Sequence, residues 1–239
     1  MQPKLCLSAT EPLRAVKDVA NLAARATNLL NQPNGKGGVM VLPGFCGDDH
    51  YNILFREYLT HLGYDVIGWG QGRNTGHTSL DREALYERVT NHYHKQGSPI
   101  SLIGHSLGGI FARHIAHIMP ETVKQVITLG SPFMVPVHDD GFTPASPVRE
   151  LYLKLNPVAE DEEMLSLIRV PPPCPTTAIY SKGDGIVRWD LTLQPGDDHH
   201  VDNIEVLGSH MAMTLNADVW SLCADKLRQH MPEASVQAI

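Results

Sequence analysis

The chain has 239 residues, of which 42% are hydrophobic and 19% charged, a globular composition long enough for one domain carrying an insertion. Its formal net charge is −7, from 26 acidic against 19 basic residues, and no Lys/Arg-rich run is present, so nucleic-acid binding is not expected. No stretch is apolar enough to span a membrane, and Met1 to Thr10 lack the long apolar core of a secretory signal, which leads to an expected cytoplasmic location. The four cysteines, at 6, 46, 174 and 223, are scattered without a CxxC pair and read as reduced thiols.

Residues 11–31 read as a helix, with Leu13, Val16, Val19, Ala20, Ala23 and Leu30 recurring at helical spacing; Asn34, Gly35, Gly37 and Gly38 then end it. Val39 to Leu42 is a continuous apolar run of the kind a parallel strand buried on both faces requires. After Pro43 and Gly44, Asp48 or Asp49 is expected to cap a helix reaching His61. A second strand follows at 64–67, then a glycine-rich loop from Gly68 to Gly76 and a helix over 79–96, with Thr78 and Asp81 as its capping signal. Further strands are expected at 100–103, 126–129, 177–180 and 203–206, and helices after Ile103 and over 213–229. This alternation predicts an α/β fold: a mostly parallel, doubly wound sheet with helices on both faces.

The alternation breaks between Ser131 and Pro175. Two short helices are expected there, one opened by Ser146 and Pro147, the other by Glu160 to Glu163 and closed by Arg169, with charges matching the helix dipole. The chain thus reads as a single domain, 1–239, with an N-terminal helical extension over 1–36 and a small helical cap over about 132–175.

Gly104, His105, Ser106, Leu107 and Gly108 fit G-x-S-x-G, between an expected strand and an expected helix. So tight a strand-to-helix turn strains the serine backbone, needs small neighbours, and lifts the hydroxyl above the helix N-terminus and its backbone donors. A bare G-x-S-x-G occurs often by chance; its structural context is what favours the functional reading.

With Val39 to Phe45, Gly104 to Gly109, Gly183 to Val187 and Gly208 to His210 in this order, residues 39–230 resemble bacterial lipases and esterases of the α/β-hydrolase superfamily. The resemblance implies the α/β-hydrolase fold and a Ser, Asp, His order of catalytic residues. Asp184 and His210 each follow a strand, so both are expected at the same sheet edge as Ser106, as nucleophile Ser106, acid Asp184 and base His210. Asp190 is the alternative acid if its loop folds back. His199, His200 and Asp202 precede the last strand and belong at the opposite edge, while His105 is expected to point away from the site. The oxyanion donors are expected to be the backbone N–H groups of Leu107 and Phe45, with Cys46 as the alternative to Phe45. Relatives often carry His-Gly where this chain has Pro43 and Gly44, a change that leaves a backbone donor in place. Gly68 to Asn74 is also familiar from lipase-like members, with no role attached.

Met134, Val187 and Met211 are the candidate substrate-binding residues, with Phe45 and cap residues such as Leu151 and Tyr152 beside them. Such apolar walls suit a small-molecule or lipid-like ester with a hydrophobic acyl group. Acyl transfer and thioester cleavage use the same three residues and remain open, as does a non-catalytic binding protein on this scaffold. No cofactor or metal is implied: Gly68 to Gly76 match no nucleotide-binding loop, the adjacent Asp197, Asp198, His199 and His200 suit a solvated loop, and Cys46 suits a small buried thiol.

Overall fold

A strand covered on both sides sends alternate side chains into two different layers. In β1 (Gly38–Leu42), Val39 and Val41 enter one apolar cluster, and Met40 and Leu42 another. The same division separates Ile103 from Leu102 in β3 (Ile100–His105), Ile127 from Val126 in β4 (Val123–Leu129), and Ile179 from Ala178 in β5 (Thr176–Tyr180). With the outer strands β2 (Asp65–Gly68) and β6 (Val201–Glu205), they form a six-stranded sheet in the order β2-β1-β3-β4-β5-β6. Every neighbouring pair is parallel. The computed structural model describes residues 5–136, 147–157, 162–196 and 200–230.

The first cluster is covered by α1 (Leu5–Leu30), α2 (Ile53–His61) and α7 (Ala217–Gln229), through residues such as Leu22, Phe55 and Cys223. The second is covered by α3 (Arg82–Gln96) and α4 (Leu107–Ile118), joined by Tyr152 from α5 (Pro147–Leu155) and by Met164 and Ile168 from α6 (Glu162–Arg169). The order of strands reverses between β1 and β3, and at such a switch point the loops leaving the carboxyl ends part and leave a crevice. The loop after β1 and the turn after β3 border it. Among the described residues no helix is long and apolar enough to cross a membrane.

Six strands lie where the sequence predicts them, with shifted ends: β4 starts at Val123, and β6 starts at Val201, so that Asp202 lies within it. Helix starts differ for identifiable reasons. The Asp48 carboxylate accepts the N–H groups of His50 and Tyr51 in a turn, Asp49 accepts those of Trp69 and Gly70, and α2 begins after Asn52. Asp81 caps α3 through the Ala84 N–H, and Asn216 caps α7 through Asp218 and Val219, after a 3-10 turn over Met213–Leu215. The expected helix cap Ser146 and the acids Glu160 and Asp161 lie outside the described residues.

The largest departure is α1. Its spacing is helical, but the residues that revealed it face solvent: Leu13 is 72% exposed and Val16 67%. The packed face carries Glu11, Asp18, Leu22 and Leu29 instead. The helix also starts six residues early and accommodates Pro12. Proline removes one N–H inside a helix, and the turns before it are held by side chains. Arg14 donates to the Leu7 carbonyl at 2.7 Å, and the Ser8 hydroxyl donates to the Gly185 carbonyl.

Arg113, fully buried on α4, ties the α5–α6 segment to the body. Its guanidinium donates to the carbonyls of Ile168 (2.7 Å) and Val170 (2.9 Å) and to Gln194 Oε1 (2.6 Å), and lies 3.9 Å from the Phe133 ring centre. Burial pulls its pKa down to about 9.

Candidate active site

Ser106 is the N-cap of α4 and has φ 50° and ψ −119°, a left-handed backbone that a non-glycine residue adopts only under constraint. Its N–H is fixed to the Leu129 carbonyl at 2.8 Å, and its hydroxyl makes no capping bond. Glycines are needed around it because backbones nearly touch. A Cβ on Gly104 would lie 2.4 Å from the Gly108 carbonyl group, and one on Gly108 would lie 2.4 Å from the Leu42 oxygen.

Asp184 and His210 follow β5 and β6 and meet beside this turn. His210 Nδ1–H donates to Asp184 Oδ2 at 2.6 Å. The other oxygen, Oδ1, accepts the N–H groups of Ile186 (2.9 Å) and Val187 (2.8 Å), which fixes the carboxylate plane. This bond places the proton on Nδ1 and leaves Nε2 as a lone pair. Burial pulls His210 toward neutrality, but the Asp184 charge, its hydrogen bond and the Glu11 charge outweigh it, so the imidazole pKa stands above its ordinary value. Among the described residues no hydrogen bond joins the Ser106 hydroxyl to His210; both line one cavity of about 260 Å³.

The loop after β1 supplies Gly44, Phe45, Cys46 and Gly47 to the same cavity. Among the described residues, the Phe45 and Leu107 N–H groups have no backbone partner, whereas the Cys46 N–H donates to the Asn74 carbonyl at 2.7 Å. Of the two candidates in this loop, Cys46 has its donor engaged and Phe45 does not. Cys46 is exposed rather than the buried thiol expected; partial desolvation still raises its thiol pKa, with the Arg73 charge opposing, which disfavours the thiolate a nucleophile needs. Phe45 packs edge-on against Tyr152 of α5, ring centres 5.2 Å apart.

Met211 lines the cavity, with Tyr51, Val148, Leu151 and Ile186. Two expected pocket residues do not. Val187 is 1% exposed, because Asp184 Oδ1 draws in two successive N–H groups and leaves Ile186 facing the cavity. Met134 packs against the core cluster under α4, with its N–H on the Leu191 carbonyl at 3.0 Å. Asp190 pairs with Arg188 at 3.1 Å. His200 precedes β6, its carbonyl accepting the Thr176 N–H at 2.7 Å, and Asp202 pairs with Lys226 at 2.6 Å. Asp197, Asp198 and His199 lie outside the described residues.

His105 does not point away from the site. It lines the cavity, its ring centre is 5.0 Å from that of His210, and its Nε2–H donates to the His210 carbonyl at 3.0 Å. Burial first, and the His210 charge second, push its pKa down to about 3, so it stays a neutral donor. The Tyr51 hydroxyl donates to the next carbonyl, that of Met211. Glu11 of α1 accepts the N–H groups of Gly185 (2.7 Å), His210 (3.2 Å) and Met211 (3.2 Å), and Asp18 accepts the Ser209 N–H (2.8 Å) and hydroxyl (2.7 Å). The His210-bearing loop, which has no strand to satisfy its peptide groups, is thus held by side chains from three distant parts of the chain. Sequence reasoning missed all of these. The only available signal was two acids spaced seven apart on a helix, which share a face. Among the described residues, no group of three or more His, Cys, Asp or Glu side chains is arranged to hold a metal ion.

A six-stranded parallel sheet with a strained serine after β3 and an Asp–His pair after β5 and β6 is the α/β-hydrolase fold. Residues 75–166 match the family described as PGAP1-like alpha/beta domain. In structure the chain is similar to one from work on LipS and LipT, two metagenome-derived lipolytic enzymes, with a TM-score of 0.59 and 16% identity over 83% of this chain and 96% of the other. It is similar to Aspergillus fumigatus lipase B, with a TM-score of 0.62 and 17% identity over 85% of this chain and only 55% of that longer one. It is also similar to the Pyrococcus furiosus esterase Pf2001, with a TM-score of 0.59 and 16% identity over 84% and 85% of the two chains. No curated protein matches the sequence.

Proposed function

We propose that the chain is a serine hydrolase that cleaves carboxylic esters with apolar acyl groups, using Ser106 as nucleophile, His210 as base and Asp184 as its orienting acid. The observation that carries this reading is the 2.6 Å bond from His210 Nδ1 to Asp184 Oδ2, in a cavity that also receives Ser106. Neutral His210 takes the Ser106 proton at Nε2 as the serine oxygen attacks the ester carbonyl carbon. Asp184 steadies the imidazolium that forms. The Phe45 and Leu107 N–H groups receive the developing oxyanion. The imidazolium returns its proton to the leaving alcohol, and water, deprotonated by the same base, releases the acid from the acyl-enzyme.

In this reading Phe45, Leu151, Ile186 and Met211 form the acyl-binding wall. Of the described residues, those within 132–175 act as a cap over the sheet and those within 1–36 as a helical extension. The fold of the named lipases and esterases is consistent with ester hydrolysis and does not select the substrate.

Labelling with a fluorophosphonate probe and locating the modified peptide tests the nucleophile without a guessed substrate. Modification at Ser106, lost in a folded Ser106→Ala variant along with ester turnover, is the expected result. A Ser106→Ala variant that retains full turnover would overturn the assignment. Running ester and thioester substrates in parallel, with and without added alcohol, separates hydrolysis from thioester cleavage and acyl transfer.

A further inference from the structure

We infer that Glu11, on the N-terminal helix α1, is a positioning residue for His210: its carboxylate holds the backbone of both the acid loop and the base loop and sets a second negative charge beside the base. This rests on the Ser106, His210 and Asp184 reading above and assigns a role to a residue outside those three.

Glu11 is 1% exposed, which is unusual for a carboxylate and demands partners. Oε1 accepts from the Gly185 and His210 N–H groups and Oε2 from the Met211 N–H, so one side chain bridges residues 185 and 210 from two separate loops. Its cation is Arg14, one helical turn on, at 3.0 Å. Arg14 also donates to the Gly183 carbonyl, which draws the acid loop toward the same helix. Bonds from backbone N–H groups to a charged acceptor are stronger than neutral ones, so the loops are held more firmly than by an amide in the same place.

The placement also has an electrostatic effect. The groups that face His210 and its loop are Asp184 on Nδ1, Glu11 on the backbone, neutral His105 on the carbonyl, the Tyr51 hydroxyl on the Met211 carbonyl, and Asp18 on Ser209. Arg14 lies behind Glu11 and weakens its field. Of these, Asp184 and Glu11 are the negative charges that favour imidazolium at His210. Asp18 supports the same loop from one residue away, at Ser209.

The test is the pH dependence of fluorophosphonate labelling at Ser106 in the full chain, compared among wild type, Glu11→Gln and Asp18→Asn, with folding of each checked by circular dichroism. In Glu11→Gln the acid limb is expected to move down by roughly half a pH unit or more, because a negative charge near the imidazole is gone. Its plateau rate is expected to fall about tenfold, because the loops are less well fixed. Asp18→Asn is expected to lower thermal stability and leave the limb in place. A lower plateau with an unmoved limb in Glu11→Gln, an unchanged profile, or an equal limb shift in Asp18→Asn overturns the inference. If Glu11→Gln does not fold, Glu11→Asp decides: a wild-type limb with a reduced plateau supports the inference, and a wild-type plateau overturns it. If wild-type protein is not labelled at Ser106 at any pH, the proposed function itself fails, which is a separate result.

Discussion

Asn74 Nδ2 donates to the Pro43 carbonyl at 2.8 Å, and the Asn74 backbone exchanges bonds with Cys46 and Gly47, at 2.7 and 2.8 Å. One fully buried side chain from the glycine-rich segment thereby shapes the loop that presents the Phe45 N–H. Asn74→Ala is expected to lower kcat by about ten- to a hundredfold with little change in KM if, as proposed, the Phe45 N–H it helps to place receives the oxyanion. It is expected to cost about 1–3 kcal/mol of stability through the carbonyl left without its donor. Steady-state kinetics and urea unfolding check both, and an unaltered kcat would count against Phe45 as a donor.

The raised His210 pKa sets the sign of the pH profile. If His210 is the base, as proposed, it acts only when neutral, so kcat/KM is expected to rise through a value above the ordinary histidine range of about 6.5. Asp184→Asn removes the larger of the two supporting charges, so the acid limb is expected to move to lower pH as the rate falls. In stability the sign is opposite. The favourable interaction of imidazolium is fully present below the unfolded-state pKa and is lost as pH rises through the folded one. Rate profiles together with melting temperatures across this window check the pair of expectations.

Gly108→Ala forces a Cβ to within 2.4 Å of the Leu42 oxygen, at the backbone contact between α4 and β1. A destabilisation of about 3 kcal/mol, at the upper end for overpacking, is expected. Activity at low temperature is expected to fall as well, because the loop carrying Phe45 starts at that same carbonyl. Thermal and chemical denaturation of the variant measure the first effect.

Leu151 stands at the mouth of the cavity, half exposed. Leu151→Trp is expected to lower kcat/KM for long-chain esters about tenfold relative to acetate, the order of one methylene's worth of lost apolar contact. A panel of nitrophenyl esters of increasing length reads this directly. Equal loss for all lengths would place the acyl chain elsewhere.

The strands and the serine turn were legible because their signals are local. Val39 to Leu42 must be apolar to be buried on both faces, and Gly104 and Gly108 must lack Cβ atoms to let backbones touch. Asp184 and His210 were reachable because strand ends fix which edge a residue occupies. What failed was anything decided by partners far away in the chain. The apolar side of α1 revealed the helix but faces solvent, since the loops below it offer N–H groups that call for Glu11 and Asp18. Asp48 and Asp49 looked like helix caps and instead serve a turn and a neighbouring strand end. Ile186 rather than Val187 faces the cavity because of one carboxylate oxygen, and His105 turned toward a carbonyl that no local pattern announces.

The left-handed backbone at Ser106 has a conformational cost. Glycine would sit there at ease, and Ser106→Gly is expected to melt later than wild type, by roughly the 1 kcal/mol or so that such a conformation withholds from a residue with a side chain. Heat tolerance and the proposed chemistry therefore compete for a single position. If Ser106 is the nucleophile, as proposed, a laboratory lineage bred solely for survival at high temperature would drift toward an inert scaffold, unless turnover were demanded of it in every generation.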